Sequence, residues 1–236
     1  VHVGLKCKLK FMREVMVQYL QHRLLKWFDE NHRIFPWRED QATKYQQIVS
    51  EILLQRTKAE TVAKYYDTFF SKFPDWNALA NASLEELEEI MKPLGLYHHR
   101  ARRLYKLGED IRRRGGRIPG DENELRDSGF IGLYVTNAFE LFILKNRKPL
   151  LDVNMSRLLK RYVKPGDVID VRHDKEIQEL ANDIIEVRRC KELNWAILDY
   201  AALVCKVRNP LCGKCVLNKY CRYYELFQGD VTEKPE

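Results

Sequence analysis

The 236-residue chain has few helix breakers: glycine occurs 11 times and proline 8 times. That is too few for a collagen-like repeat or a low-complexity linker. No apolar run approaches the ~18 residues a membrane-spanning helix needs. The first residues, Val1 to Lys10, lack the hydrophobic centre of a signal segment. A soluble, cytoplasmic protein is the expectation. Cysteine is scarce, at six, which excludes a scaffold stapled by disulfides. Acids are outnumbered, 34 against 41 Lys and Arg, so the formal charge is +7. Hydrophobic residues at 45% and charged residues at 32% describe a globular chain, one large domain or two small ones.

The apolar pattern is helical almost throughout, and no alternating strand signal is seen. Val15, Tyr19, Leu20, Leu24, Trp27 and Phe28 form one stripe, which should stop before Pro36. A second stripe is Tyr45, Ile48, Val49, Ile52 and Leu53, and a third, Val62 to Phe70, is closed by Pro74. Ser83 with Glu86 is a capping box that opens a short helix ending near Pro93. A longer helix should run from about His98 to Arg114 and stop at Gly115-Gly116. After Pro119 the pattern predicts a short acidic helix, a turn at Ser128-Gly129 and an apolar helix from Leu133 to about Leu144. Further helices are expected at about 153–162, 174–188 and 191–205. The fold class is therefore all-α.

The basic residues gather in three segments. Lys92 to Arg117 holds nine Lys or Arg against two acids, and Cys205 to Arg222 holds five and no acid. Lys145 to Lys164 holds seven, with Asp152 the one carboxylate. Converging on one face, they would make a nucleic-acid footprint; apart, they are three solvated surfaces.

Four of the six cysteines fall within seventeen residues, as Cys205-x6-Cys212-x2-Cys215-x5-Cys221, while Cys7 and Cys190 are scattered. Four thiolates suit an iron–sulfur cluster or a structural zinc. Only Cys212 and Cys215 make a close pair, where zinc sites usually show two. Disulfides are disfavoured in an intracellular chain.

This spacing, at the end of an all-α chain, resembles the [4Fe–4S] loop of the helix-hairpin-helix DNA glycosylases related to endonuclease III and MutY. The resemblance runs from about Trp27 to Glu225. It includes FPWR at Phe35 to Arg38, SEILLQRT at Ser50 to Thr57, KFP at Lys72 to Pro74, GLYHHRA at Gly95 to Ala101, GGRIP at Gly115 to Pro119 and LDVN at Leu151 to Asn154. It implies a two-lobed fold: a six-helix lobe at 42–149 with a helix-hairpin-helix, and a cluster lobe of 1–41 plus 150–236. DNA would enter a cleft between them. The implied cofactor is a [4Fe–4S] cluster on Cys205, Cys212, Cys215 and Cys221. The implied partner is double-stranded DNA with a mismatched or damaged base, bound by a monomer associated with the nucleoid and not with a membrane.

A glycosylase must flip a nucleotide out of the stack and stabilise an oxocarbenium-like sugar. By the resemblance Asp152 is the catalytic carboxylate, and the cations around it are expected to keep it ionised; it also stands where a helix N-cap belongs. At Tyr134 bifunctional relatives carry a lysine that forms a Schiff base with the sugar. A phenol cannot, which implies a monofunctional enzyme and resembles the glycosylases that remove thymine or uracil opposite guanine. Glu51 matches a glutamate that protonates the leaving base in the MutY group. Asn154 matches the Asp-x-Asn pattern of the MutY and mismatch groups. Gln55 is implied to fill the gap left by the flipped base, with Arg56 beside it and Tyr97 pressing from the next loop. Lys206, Arg208 and Lys214 are expected on phosphates.

Two features depart from the family. The hairpin, usually Leu-Pro-Gly-Val-Gly, reads Ser128-Gly129-Phe130-Ile131-Gly132, so only Gly132 is left to support the phosphate contact. The chain ends fifteen residues after Cys221, without the further domain of MutY proteins. Adenine removal opposite guanine or 8-oxoguanine is thus the second expectation, and an inactive DNA-binding relative the third.

Overall fold

A computed structural model describes residues 2–95, 97–121, 123–124, 132–166, 170–171 and 173–228. Among them there is no strand, and no helix is long and apolar enough to cross a membrane. The α-helices are α1 (His2–Asn31), α2 (Lys44–Leu53), α3 (Ala59–Lys72), α4 (Trp76–Asn81), α5 (Leu84–Met91), α6 (Tyr97–Arg113), α7 (Leu133–Phe139), α8 (Val153–Val163), α9 (Lys175–Ile185), α10 (Cys190–Leu203) and α11 (Arg222–Gln228).

The chain divides into two compact units, one of residues 34–146 and one of residues 1–33 with 147–236. The first boundary lies eight residues before the expected 41/42. Phe35 and Trp37, stacked with ring centroids 4.7 Å apart, are buried in the core of the 34–146 unit. The second lies at 146/147 and not at 149/150, because the Asn194 amide in α10 holds the Lys148 carbonyl.

In the 34–146 unit, helix starts are written locally. Ser83 and Glu86 form the expected capping box on α5. Thr43 and Gln46 form a second one on α2, a Thr-x-x-Gln signal equally readable in the sequence. The core joins Val49, Ile52 and Leu53 of α2 to Val62 and Phe69 of α3, Leu79 of α4, Leu87 and Met91 of α5 and Leu104, Leu107 and Ile111 of α6. The helix expected to reach Leu144 is α-helical only to Phe139. It continues as a π-helical turn over Glu140–Leu144, ended by Lys145 in the left-handed region. The buried Glu140 accepts from the Asn146 amide there, so the chain end folds back on the turn. The acidic helix and the Ser128-Gly129 turn fall mostly outside the described residues.

In the other unit, α1 buries Met16, Leu20, Leu24 and Phe28, a four-residue stripe, and packs on α10 and α9. The fully buried Asp199 of α10 takes both the backbone N–H (3.0 Å) and the Nε (2.8 Å) of Arg33, fixing the end of α1.

Gly108 lets α6 lie against α4. A Cβ placed there would sit 2.7 Å from the Leu79 carbonyl oxygen, a backbone atom that cannot swing aside. Alanine at an exposed helix position gains about 1 kcal/mol over glycine, but overpacking costs about 1–3 kcal/mol. Gly108→Ala is therefore expected to destabilise, read as a lower denaturant midpoint.

Candidate active site and cluster loop

The 34–146 unit brings two of the expected residues together. Tyr134, in the first turn of α7, donates its hydroxyl to Glu51 Oε2 at 2.7 Å. Glu51 is on α2 and only 3% exposed. The ring of Tyr134 packs against the aromatic-rich core, so the phenol is both a packing residue and the donor to a buried acid. A buried carboxylate needs such a bond, since leaving it unsatisfied costs about 1–3 kcal/mol or more.

Just past α2 the chain turns through Leu54 to Thr57. Arg56 is exposed and left-handed, with φ 59°. The Gln55 side chain accepts from the Arg103 guanidinium of α6. Tyr97 opens α6, half-buried, its ring 4.1 Å from that of His98. Gly132 is the N-cap of α7 with φ −72°, a conformation open to any residue. The rest of the hairpin, Ser128 to Ile131, lies outside the described residues.

In the other unit, Asn194 of α10 sets the approach to Asp152: its Oδ1 takes the Leu150 N–H at 2.6 Å and its amide holds the Lys148 carbonyl at 3.2 Å. Asp152 is the N-cap of α8. One carboxylate oxygen accepts from the backbone N–H groups of Asn154 and Met155, each at 2.8 Å, and the other from the Asn154 amide at 2.7 Å. Asp152 is thus a helix cap whose carboxylate is oriented by Asn154. The expected effect of the surrounding cations is corrected here. Burial pushes the Asp152 carboxyl above its ordinary range, and the hydrogen bonds from Met155 and Asn154, with Arg157 as the weakest influence, offset this only in part. A run of basic residues counts charge but not distance: Arg147 pairs with Glu186, Lys160 with Asp174, and Arg161 with the Lys206 and Val207 carbonyls.

Arg157 is a site residue that the motifs did not single out. From α8 it donates to Asn154 Oδ1 at 3.0 Å, to the Ala201 carbonyl at 2.9 Å and to the Cys205 carbonyl at 3.1 Å. One guanidinium therefore links the side chain that orients Asp152 to the first cysteine of the loop. Its spacing, three residues after Asn154 on one helix, was the available signal. One turn on, Arg161 donates to Cys205 Sγ at 3.6 Å and to the Lys206 and Val207 carbonyls at 2.6 and 3.0 Å.

Cys205, Cys212, Cys215 and Cys221 are all half-buried free thiols. Burial raises Cys212, Cys215 and Cys221, the last to about 11, and neighbouring cysteine sulfurs raise them further. No three His, Cys, Asp or Glu side chains among the described residues converge as ligands of a single ion would. Four spaced thiolates fit a cubane, each iron taking one. Tyr200 donates to Cys215 Sγ at 3.3 Å and accepts the Val216 N–H at 2.7 Å, so α10 already shapes this corner. Lys206, Arg208 and Lys214 are exposed on the loop. Cys190 is buried apart from it, in α10.

Residues 49–189 match the HhH-GPD superfamily of base excision DNA repair proteins. Residues 205–221 match the iron–sulfur binding domain of endonuclease III. The chain is 33% identical to a thymine-DNA glycosylase of Aeropyrum pernix, over 91% of this chain and 98% of that one. It is 31% identical to a thymine/uracil-DNA glycosylase of Methanothermobacter thermautotrophicus, over 86% and 91%. Its fold matches the solved structure of a thermostable thymine-DNA glycosylase with a TM-score of 0.78 and 30% identity, over 90% of this chain and 96% of that one. The likeness spans most of the chain at this identity, so the chain belongs to the HhH-GPD superfamily and is a DNA N-glycosylase with an iron–sulfur loop.

Proposed function

We propose that the protein is a monofunctional glycosylase that hydrolyses the N-glycosidic bond of thymine or uracil opposite guanine, acting as a monomer in base excision repair. The observation that carries the monofunctional reading is the hydroxyl of Tyr134 bonded to Glu51. No amine stands at position 134 to attack the sugar and form a Schiff base. Neither residue chooses between a pyrimidine and adenine. The choice of base rests on the likeness to relatives named for thymine and uracil.

In this reading Asp152, oriented by Asn154, stabilises the positive sugar that forms as the base leaves, and water completes the hydrolysis. Glu51 and Tyr134 share a proton on the side of the leaving base. Gln55 fills the gap in the stack, with Arg56 and Tyr97 against the strands and Gly132 at the hairpin. Cys205, Cys212, Cys215 and Cys221 would hold the [4Fe–4S] cluster, which when bound supplies structure and no redox step. The loop's Lys206, Arg208 and Lys214 meet phosphates.

A panel of duplexes tests the base. Release of thymine and uracil opposite guanine is expected, without release of adenine opposite guanine or 8-oxoguanine. Borohydride should trap no covalent DNA adduct. Adenine release, or a trapped adduct, would sink this reading.

The raised carboxyl of Asp152 has a sign. The ionised form does the work, so single-turnover base release should fall with decreasing pH through an apparent pKa above the ordinary carboxylate range. Asp152→Asn should bind mismatched DNA and release no base.

Neutralising Lys206, Arg208 and Lys214 one at a time should each flatten the slope of log K against log salt by about 1. Affinity should fall alike for all sequences, with base preference unchanged.

A further inference from the structure

Arg100 of α6 is 3% exposed, yet it carries a charge with no carboxylate among its partners. Its two terminal nitrogens hold two different turns. One donates to the Leu53 carbonyl at 3.0 Å and to Thr57 Oγ1 at 2.6 Å. The other donates to the Leu94 carbonyl at 2.9 Å and to that of Gly95. The Thr57 hydroxyl, bonded by Arg100, itself donates to the Leu94 carbonyl at 3.4 Å and closes the bridge. Burial lowers the Arg100 pKa and no acid offsets it.

Both turns hold left-handed residues, Arg56 at φ 59° and Gly95 at φ 67°. For arginine that conformation is strained and persists only where the surroundings impose it. Arg103, one turn along α6 from Arg100, reaches the same 53–57 turn and holds the Gln55 side chain. One face of α6 therefore sets both the backbone of this turn and the direction of its glutamine.

We propose that Arg100 is a positioning residue for base flipping, locking the Gln55 turn and the Leu94–Gly95 turn into one rigid element that enters the DNA stack without yielding. This rests on the reading that Gln55 and Tyr97 meet the DNA. Opening a stacked pair takes work, and a turn free to relax would spend that work on itself instead of on the duplex. The guanidinium suits the task because its planar fork meets four oxygens in fixed directions, which a lysine cannot.

The test uses the full chain with its cluster loaded, under single turnover, on two duplexes of the same sequence. One holds thymine opposite guanine; in the other the same thymine faces an abasic site, so that stacking alone retains it. The variants are Arg100→Lys and the milder Thr57→Val, which removes one acceptor and the bond to Leu94. On the mismatch the rate should fall about tenfold or more, and on the abasic-opposed duplex by less than about threefold. Fluorescence of 2-aminopurine beside the target, bright in the wild-type complex, should be dimmed with both variants. Equal losses on both duplexes, or fluorescence undimmed with both variants, would overturn the proposal, because a residue that only holds the fold does not distinguish paired from unpaired thymine. If the wild type releases thymine from neither duplex, the base reading fails separately. The fluorescence, which needs no bond cleavage, then decides: dimming supports the positioning role, and equal brightness in wild type and variants overturns it.

Discussion

The guanidinium of Arg157 is the contact on which the cluster unit's chemistry depends. It accounts for the Asn154 side chain, the last turn of α10 and the Cys205 carbonyl at once. Hydrogen bonds from a charged donor contribute about 1.5–3 kcal/mol each against their desolvation. Two of the three, to the Ala201 and Cys205 carbonyls, cross from α8 to α10 and the residue just past it, and leave α8 little freedom to rotate against α10. The carboxylate of Asp152 and the first cysteine are thereby parts of one rigid piece. The loop begins at the end of α10, and its first cysteine is tied through Arg157 to the helix that Asp152 caps.

The 34–146 unit solves a different problem. Its core is aromatic and apolar, and its two buried charged side chains within reach of the candidate site are handled separately. Glu51 accepts from a phenol, and the two terminal nitrogens of Arg100 donate to carbonyl and hydroxyl oxygens, while its Nε is buried without a hydrogen-bond partner. Burying either group costs free energy unless each lone pair or proton is met. The Arg100 side chain reaches from α6 to the 53–57 turn. Gly108 in the same helix draws α6 against α4, which gives that reach a fixed base.

Legibility followed the range of the interaction. The Ser83–Glu86 capping box, the Asp152 cap and the stripes of α1 to α3 lie within four residues along the chain, and their consequences could be written down at once. The Thr43–Gln46 box was equally local and was there to be read. The pairing of Tyr134 with Glu51 spans 83 residues, and motif matching named both without joining them. Arg100 and Arg157 look like any others in a basic segment. Only their partners, 40 to 50 residues away, distinguish them from solvated charge. The pKa of Asp152 moves opposite to the expected direction because desolvation depends on what surrounds a group in space, and a count of neighbouring basic residues cannot register it.

The sequence by itself determined the helical class, most helix starts, the four cysteines and the family, because periodicity, capping and motif spacing are properties of short stretches of chain. The tertiary structure alone decided which polar groups are buried and what satisfies them: the phenol on Glu51, the fork of Arg157 on Cys205, the grip of Arg100 on two turns and the raised carboxyl of Asp152. Those outcomes turn on excluded water and on distances between segments remote in sequence, and neither exists until the helices have packed.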